Sequence, residues 1–277
     1  MAYVLALASA ALYGSADFLG GLASRTVNTI ATVVLSQAAG LLLLLAFLPF
    51  LSAAPAHNDL LWGGAAGLAG GIGVGLLYRA LAIGTMAIVA PTTAVCAVLI
   101  PVAAEAIAGE QLAARTVAGI VLALVAIVLV SQSSAGDRGA SGRKGLGLAI
   151  MSGVAIGFFY LALARTGAAA GLWPLVAARA VSVSLFLGLA VAGRQPLRMP
   201  ARPLTIVLGC GVLDMAANAL YMLATRRGAL SAVVTLASLY PASTVLLARV
   251  VLGDRLSGRQ VVGIVSAFVA VVLIVST

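Results

Sequence analysis

The chain has 277 residues, of which 63% are hydrophobic and 8% charged, with a net charge of +9. Soluble domains carry about a quarter charged residues, so this composition excludes an ordinary water-soluble fold. The basic balance does not point to nucleic acid: the basic residues are spread over short connections, where membrane topology and anionic lipid account for them.

Apolar runs of about 20 residues cross a bilayer core. Ten of them follow one another along the chain: Tyr3–Leu22, Thr29–Leu51, Leu61–Ala82, Met86–Ala108, Thr116–Ser131, Leu146–Ala164, Leu172–Ala192, Leu204–Ala224, Ala229–Leu252 and Val261–Ser276. The first has no basic segment before it and the next span follows at once, so it reads as an uncleaved first helix rather than a signal peptide. The expected fold is an all-α polytopic membrane protein with ten transmembrane helices.

The third run contains "GGAAGLAGGIGVG", Gly63 to Gly75, with seven glycines in thirteen residues. In water each interior helical glycine costs about 0.5–1 kcal/mol relative to alanine. In lipid, helices associate by close packing, and small residues four apart let two backbones approach. Gly63, Gly67, Gly71 and Gly75 have that spacing, with Gly64 and Gly70 beside them, and predict a tight helix contact. A helix that lines a cavity and bends during transport is the alternative. Leucine at Gly67 or Gly71 is expected to be harmful, and at Gly20 or Gly136, outside the strip, less so.

The fourth and ninth runs carry prolines, Pro91, Pro101 and Pro241, which interrupt the hydrogen-bond ladder and bend a helix. Freed carbonyls are tolerated in a bilayer only where protein or water satisfies them, so these two helices are expected to line a polar cavity. Tyr78, Tyr160, Tyr221 and Tyr240 are candidates for its walls, although tyrosines at span ends also anchor at interfaces. Tyr240, mid-span beside Pro241, is the best placed.

A polar stretch, Ser131–Gly145, separates five runs from five. "GEQLAARTVAG" (Gly109–Gly119) opens the last run of the first half and "GDRLSGRQVVG" (Gly253–Gly263) that of the second, 144 residues apart with glycine, acid, leucine, arginine and glycine in matching places. The chain therefore reads as a duplicated unit: residues 1–132, a linker 133–145, and residues 146–277. Five spans per unit is an odd number, so the two units are expected to be inverted, with a site at mid-depth between them.

An ionisable side chain inside a span costs about 2.5–3.5 kcal/mol on insertion scales, so each needs a reason. Asp17, Arg179 and Asp214 lie inside spans, with Asn218 one turn after Asp214. Two readings stay open for Arg179 and Asp214: an ion pair that locks two helices, or groups that meet the amino and carboxylate ends of a substrate. Asp214 is also a candidate proton carrier. Glu105 and Arg249, near span ends, read as snorkelling residues, and Glu110 and Asp254 as helix-entry acids favoured by the helix dipole. No metal-ligand spacing, nucleophile motif or phosphate loop is present, so no metal, cofactor or catalytic residue is expected.

The ten-span plan resembles the EamA-type exporters of the drug/metabolite transporter superfamily. The resemblance rests on the Gly-Glu/Asp-x-Leu…Gly segments at Gly109–Gly119 and Gly253–Gly263, the tyrosine-to-glycine stretches before the fourth and ninth helices, and the prolines inside them. It departs at Asp254, where glutamate is usual, and at Gln37, where an arginine is common; Arg179 keeps the corresponding arginine. The resemblance implies non-ATP export of small metabolites across the bacterial inner membrane. Amino acids are a leading substrate class, as for exporters of the YddG type.

The expected substrate site comprises Tyr78, Tyr221, Tyr240, Asp214, Asn218, Asp17 and Arg179, with a small-molecule substrate and the lipid bilayer as partners and the chain working as a monomer. The rival from another class is an intramembrane enzyme acting on a lipid-linked substrate through Asp17 and Asp214. Orientation is contested. Connections 1–2, 3–4, 5–6, 7–8 and 9–10 hold ten basic residues against four in the others, which places the termini outside, whereas the resemblance implies termini inside.

Overall fold

The computed structural model describes residues 1–47, 53–107, 113–131, 140–225, 227, 233, 236–237, 239–253 and 257–275. Among them are ten α-helices: α1 (Ala2–Ser24), α2 (Thr29–Phe47), α3 (His57–Ile83), α4 (Met86–Ile107), α5 (Ala114–Ser131), α6 (Ala140–Leu163), α7 (Trp173–Ala192), α8 (Ala201–Thr225), α9 (Tyr240–Leu252) and α10 (Gly258–Val275). Seven are long and apolar enough to cross a membrane. The apolar parts of α5, α9 and α10 are shorter, at Ala114–Ala126, Tyr240–Leu252 and Val261–Ile274. Glu110, Asp254, Gly136 and most of the polar linker lie outside the described residues. Helix α6 starts at Ala140, inside the expected linker and ahead of the expected Leu146. Valines and leucines such as Val117, Val121, Leu124, Val261 and Val265 face outward, as lipid-facing residues do in a solvent as apolar as they are.

Glycine sets how closely the helices approach. A Cβ on Gly63 would come 2.5 Å from the Pro174 carbonyl oxygen, and one on Gly67 would come 2.2 Å from that of Ala178. Gly71 faces Ser182, and Gly75 the Phe186 ring. The partners advance four residues for every four glycine residues, so α3 and α7 run parallel, in register. A second glycine face of α3 meets α6, with Gly70 under Phe159 and Gly73 against Ile156, and there the Ser152 hydroxyl donates to the Gly73 carbonyl at 2.7 Å.

The same relations recur elsewhere. Gly211 of α8 lies against Ser36 of α2, and Gly40 against Gly211 and Met215, which makes α2 and α8 parallel. Gly153 and Gly157 of α6 seat on Thr93, Cys96, Ala97 and Ile100 of α4. Gly14 of α1 meets Tyr240, Ser243 and Thr244 of α9, where the Thr244 hydroxyl donates to the Gly14 carbonyl at 2.9 Å. Helix α1 packs on α8 as α6 packs on α3, while α2 meets α7, α4 meets α9 and α5 meets α10. Gly119, early in α5, touches Leu273 and Ile274 at the end of α10, so that pair is antiparallel.

One expectation changes. Gly20 is not a tolerant position: its Cβ would fall 2.4 Å from the Tyr78 ring, because α1 crosses α3 there, away from the stripe that faces α7. Pro241 lies at a break in the ninth run: Val233, Leu236 and Ala237 before it are helical, and α9 starts at Tyr240. Pro241 occupies the first turn of α9, where its missing N–H would be unpaired in any case, while Pro91 and Pro101 do lie within α4.

The entry to α3 is pinned by one side chain. The Asp59 carboxylate accepts the Ala56 N–H at 2.9 Å and the Gly167 N–H at 2.8 Å, tying the helix start to the α6–α7 connection. Asp59→Ala leaves both donors unmet. The expected result is a lower melting temperature in detergent with transport retained.

Candidate functional site

Charges gather where the halves of the chain meet. Arg179 of α7 donates from Nη1 to the Gln37 Oε1 of α2, and its Nη2 pairs with the Asp214 carboxylate of α8. Gln37 and Asp214 sit near the middles of their helices. Gly40 and Gly211 open the space: a Cβ on Gly40 would stand 3.9 Å from the Arg179 guanidinium carbon. The Arg179 and Asp214 side chains keep 11% and 21% accessibility. Each of the two charges is engaged by the other.

A second group lines the space beside the pair. Tyr13 and Asp17 lie one turn apart on one side of α1. The Tyr13 ring meets the Tyr240 ring edge-on, with centroids 6.3 Å apart. Asp17 is within Coulombic reach of Asp214, and Tyr160 and Tyr240 are within reach of Asp17. Tyr160, near the end of α6, is 44% accessible. Asp17 itself is half-buried and has no hydrogen bond or ion pair among the described residues. No cluster of three metal-ligating side chains forms among the described residues.

The expected site residues divide. Asp17, Arg179, Asp214 and Tyr240 come together, and Asn218 joins them by donating its amide to the Asp214 backbone carbonyl at 2.8 Å. Tyr221 packs toward the chain start, against Ala2, Ala6 and Ala224. Tyr78 is buried, and its hydroxyl lies 3.1 Å from the Cys210 sulfur, which donates to the Ala16 carbonyl at 3.2 Å. Tyr13 and Gln37 belong to the site without having been candidates for it. Gln37 carried one signal, since it occupies the repeat position of Arg179. Tyr13 carried none.

The accessible groups are not spread evenly through the depth of the bundle. Tyr160 and Tyr221 lie near the ends of α6 and α8, toward the face where the chain starts. Toward the opposite face, Phe18, Leu77, Tyr78, Leu81, Met86 and Val89 form the largest buried apolar cluster. The buried apolar packing is thus concentrated toward the face away from the chain start.

An all-helical membrane bundle with a buried charge constellation between its halves is the architecture of a membrane transporter. The model of the EamA-like transporter family matches residues 1–132 and 143–276, and the chain belongs to that family. No curated protein matches it. A solved structure, titled only as the crystal structure of a protein, is 19% identical, covers 98% of this chain and 96% of its own, and superposes with a TM-score of 0.63. That likeness shows the fold.

Proposed function

We propose that the protein is a secondary transporter exporting small metabolites across the bacterial inner membrane, by alternating access through a crevice between two inverted five-helix repeats. The charged groups Arg179 and Asp214, paired inside the bundle with Gln37 of the other half, carry this reading. The inverted arrangement draws support from helix direction: α5 and α10, fifth in their halves, run antiparallel, and the α3–α7 and α2–α8 pairs are both parallel. Amino acids form the first substrate panel, as the family resemblance suggests. The intramembrane enzyme gains no support from membership of a transporter family.

Exchange of access is testable with one cysteine. In a background of Cys96→Ala and Cys210→Ser, Tyr13→Cys is expected to react with an impermeant thiol reagent from either side of the membrane. Added substrate should change both rates. Labelling from one side only, unaffected by every solute of the panel, would count against alternating access.

A further inference from the structure

The helices sort into two groups by how they touch. In one, α8 lies on the backbone of α2 through Gly211 and Ser36, and α1 on that of α9 through Gly14 and Tyr240. There the Ser9 hydroxyl of α1 donates to the Ala217 carbonyl of α8 at 2.8 Å. In the other group, α3 lies on the backbone of α7 through Gly63 and Gly67. Helix α6 lies on that of α4 through Gly153, whose Cβ would come 2.5 Å from the Thr93 carbonyl oxygen. Ser152 of α6 holds α3 by the Gly73 carbonyl, and Thr93 of α4 donates to the Ala149 carbonyl of α6 at 3.2 Å. Each group takes two helices from either half of the chain. Between the groups, contacts run through side chains. Arg179 reaches Gln37 across the divide and Asp214 beside it, and the Tyr78 hydroxyl faces the Cys210 sulfur. Gly20 and Gly21 of α1 lie under Tyr78, Leu81 and Met86, and Phe18 joins those three in the apolar cluster toward the face away from the chain start. Interlocked backbones cannot slide without parting the helices, whereas side-chain contacts repack through rotamer changes.

From this sorting we infer that the parts that move during transport are two four-helix bodies, α1, α2, α8 and α9 against α3, α4, α6 and α7, with Phe18, Tyr78, Leu81 and Met86 as the gate between them. The inference rests on the transporter reading and names its moving parts, which are not the two sequence halves. Helices α5 and α10 pack mainly on each other and belong to neither body. Closed, the gate is dry: Leu81 and Met86 are fully buried. Opening it separates α1 from α3 and leaves the interlocks inside each body in place.

Two buried positions separate the cases, in the full chain with Cys96→Ala and Cys210→Ser. Leu81 stands between the bodies, and Ser182, on α7 against α3, stands within one. In membrane vesicles, Leu81→Cys should react with an impermeant thiol reagent, applied at the face away from the chain start, at least about tenfold faster than Ser182→Cys. Should Leu81→Cys melt below wild type, Met86→Cys takes its place. Crosslinks are the second arm. A Cβ on Gly21 would fall 2.5 Å from the Leu81 Cβ, and one on Gly71 3.2 Å from the Ser182 Cβ. A slight parting brings either pair to the roughly 3.5–4.5 Å that a disulfide spans. Oxidising Gly21→Cys with Leu81→Cys should cut exchange of a radiolabelled amino-acid mixture at least about tenfold, with recovery in reductant. Oxidising Gly71→Cys with Ser182→Cys should leave exchange unchanged. Where a pair fails to fold, the labelling rates decide. Leu81→Cys as unreactive as Ser182→Cys, a crosslink between the bodies that leaves exchange intact, or one within a body that stops it would overturn the inference. Exchange by the uncrosslinked protein would then leave the transporter reading standing. If wild type moves no solute and Leu81→Cys stays unlabelled, both fall.

Discussion

Gly67→Leu is expected to abolish assembly of the bundle. The Cβ that any other residue places there would sit 2.2 Å from the Ala178 carbonyl oxygen and 2.6 Å from the Ala178 Cα. Those are backbone atoms of α7, so no rotamer relieves the clash, and the two helices must separate. Overpacking that side chains can relieve costs about 1–3 kcal/mol, and a backbone clash exceeds it. Separation would also undo the neighbouring seats of Gly63 on Pro174 and Gly71 on Ser182. Leucine at Gly188 or Gly209, where nothing lies within 4 Å of an added Cβ, is the control and should leave the protein intact. Gly20→Leu belongs with the damaging set because of the Tyr78 ring. The check is size-exclusion homogeneity and melting temperature in detergent for all four variants. Equal tolerance at Gly67 and Gly188 would remove the close-packing account of α3 and α7.

Breaking the Arg179–Asp214 pair is the second large effect. Removing one partner of a buried ion pair costs about 3–5 kcal/mol, because the other charge is left without compensation. This pair keeps some access to water, which places it toward the lower figure. Asp214→Asn leaves Arg179 with two amide oxygens for partners and is expected to lower both the melting temperature and the rate of transport. Arg179→Met combined with Asp214→Leu removes both charges together. Replacing a buried pair by apolar groups is often neutral for stability, so the double variant should recover folding while transport stays lost. Full transport in the double variant would make the pair a structural clamp between α7 and α8.

The sequence made parts of this arrangement legible and hid others, for physical reasons. Apolar runs mark helices wherever lipid is the solvent, and the α-helices fall on those runs with shifted ends. Four-residue glycine spacing marked one packing face of α3, but not that α7 would fill it, since any helix with small residues could. Arg179 and Asp214 stood out because charge is costly inside a span. Tyr13 did not, because a neutral polar residue costs less and carries no warning, and Gln37 showed only as the repeat position of Arg179. The hydrogen-bond partner of Tyr78 could not be read from the sequence, since Cys210 sits 132 residues away. The ninth apolar run is continuous in sequence, and only the structure shows that α9 begins at Tyr240, beside Pro241.

The central claim is transport without nucleotide through a crevice built from both halves of one chain. Its most direct test is purified protein in liposomes preloaded with labelled amino acids, with no ATP present. The account predicts protein-dependent release or exchange of at least one of these solutes, lost in the Asp214→Asn variant. Tight liposomes with no flux for any solute, together with turnover of a lipid-linked substrate by the same preparation, would contradict it and point to an intramembrane enzyme.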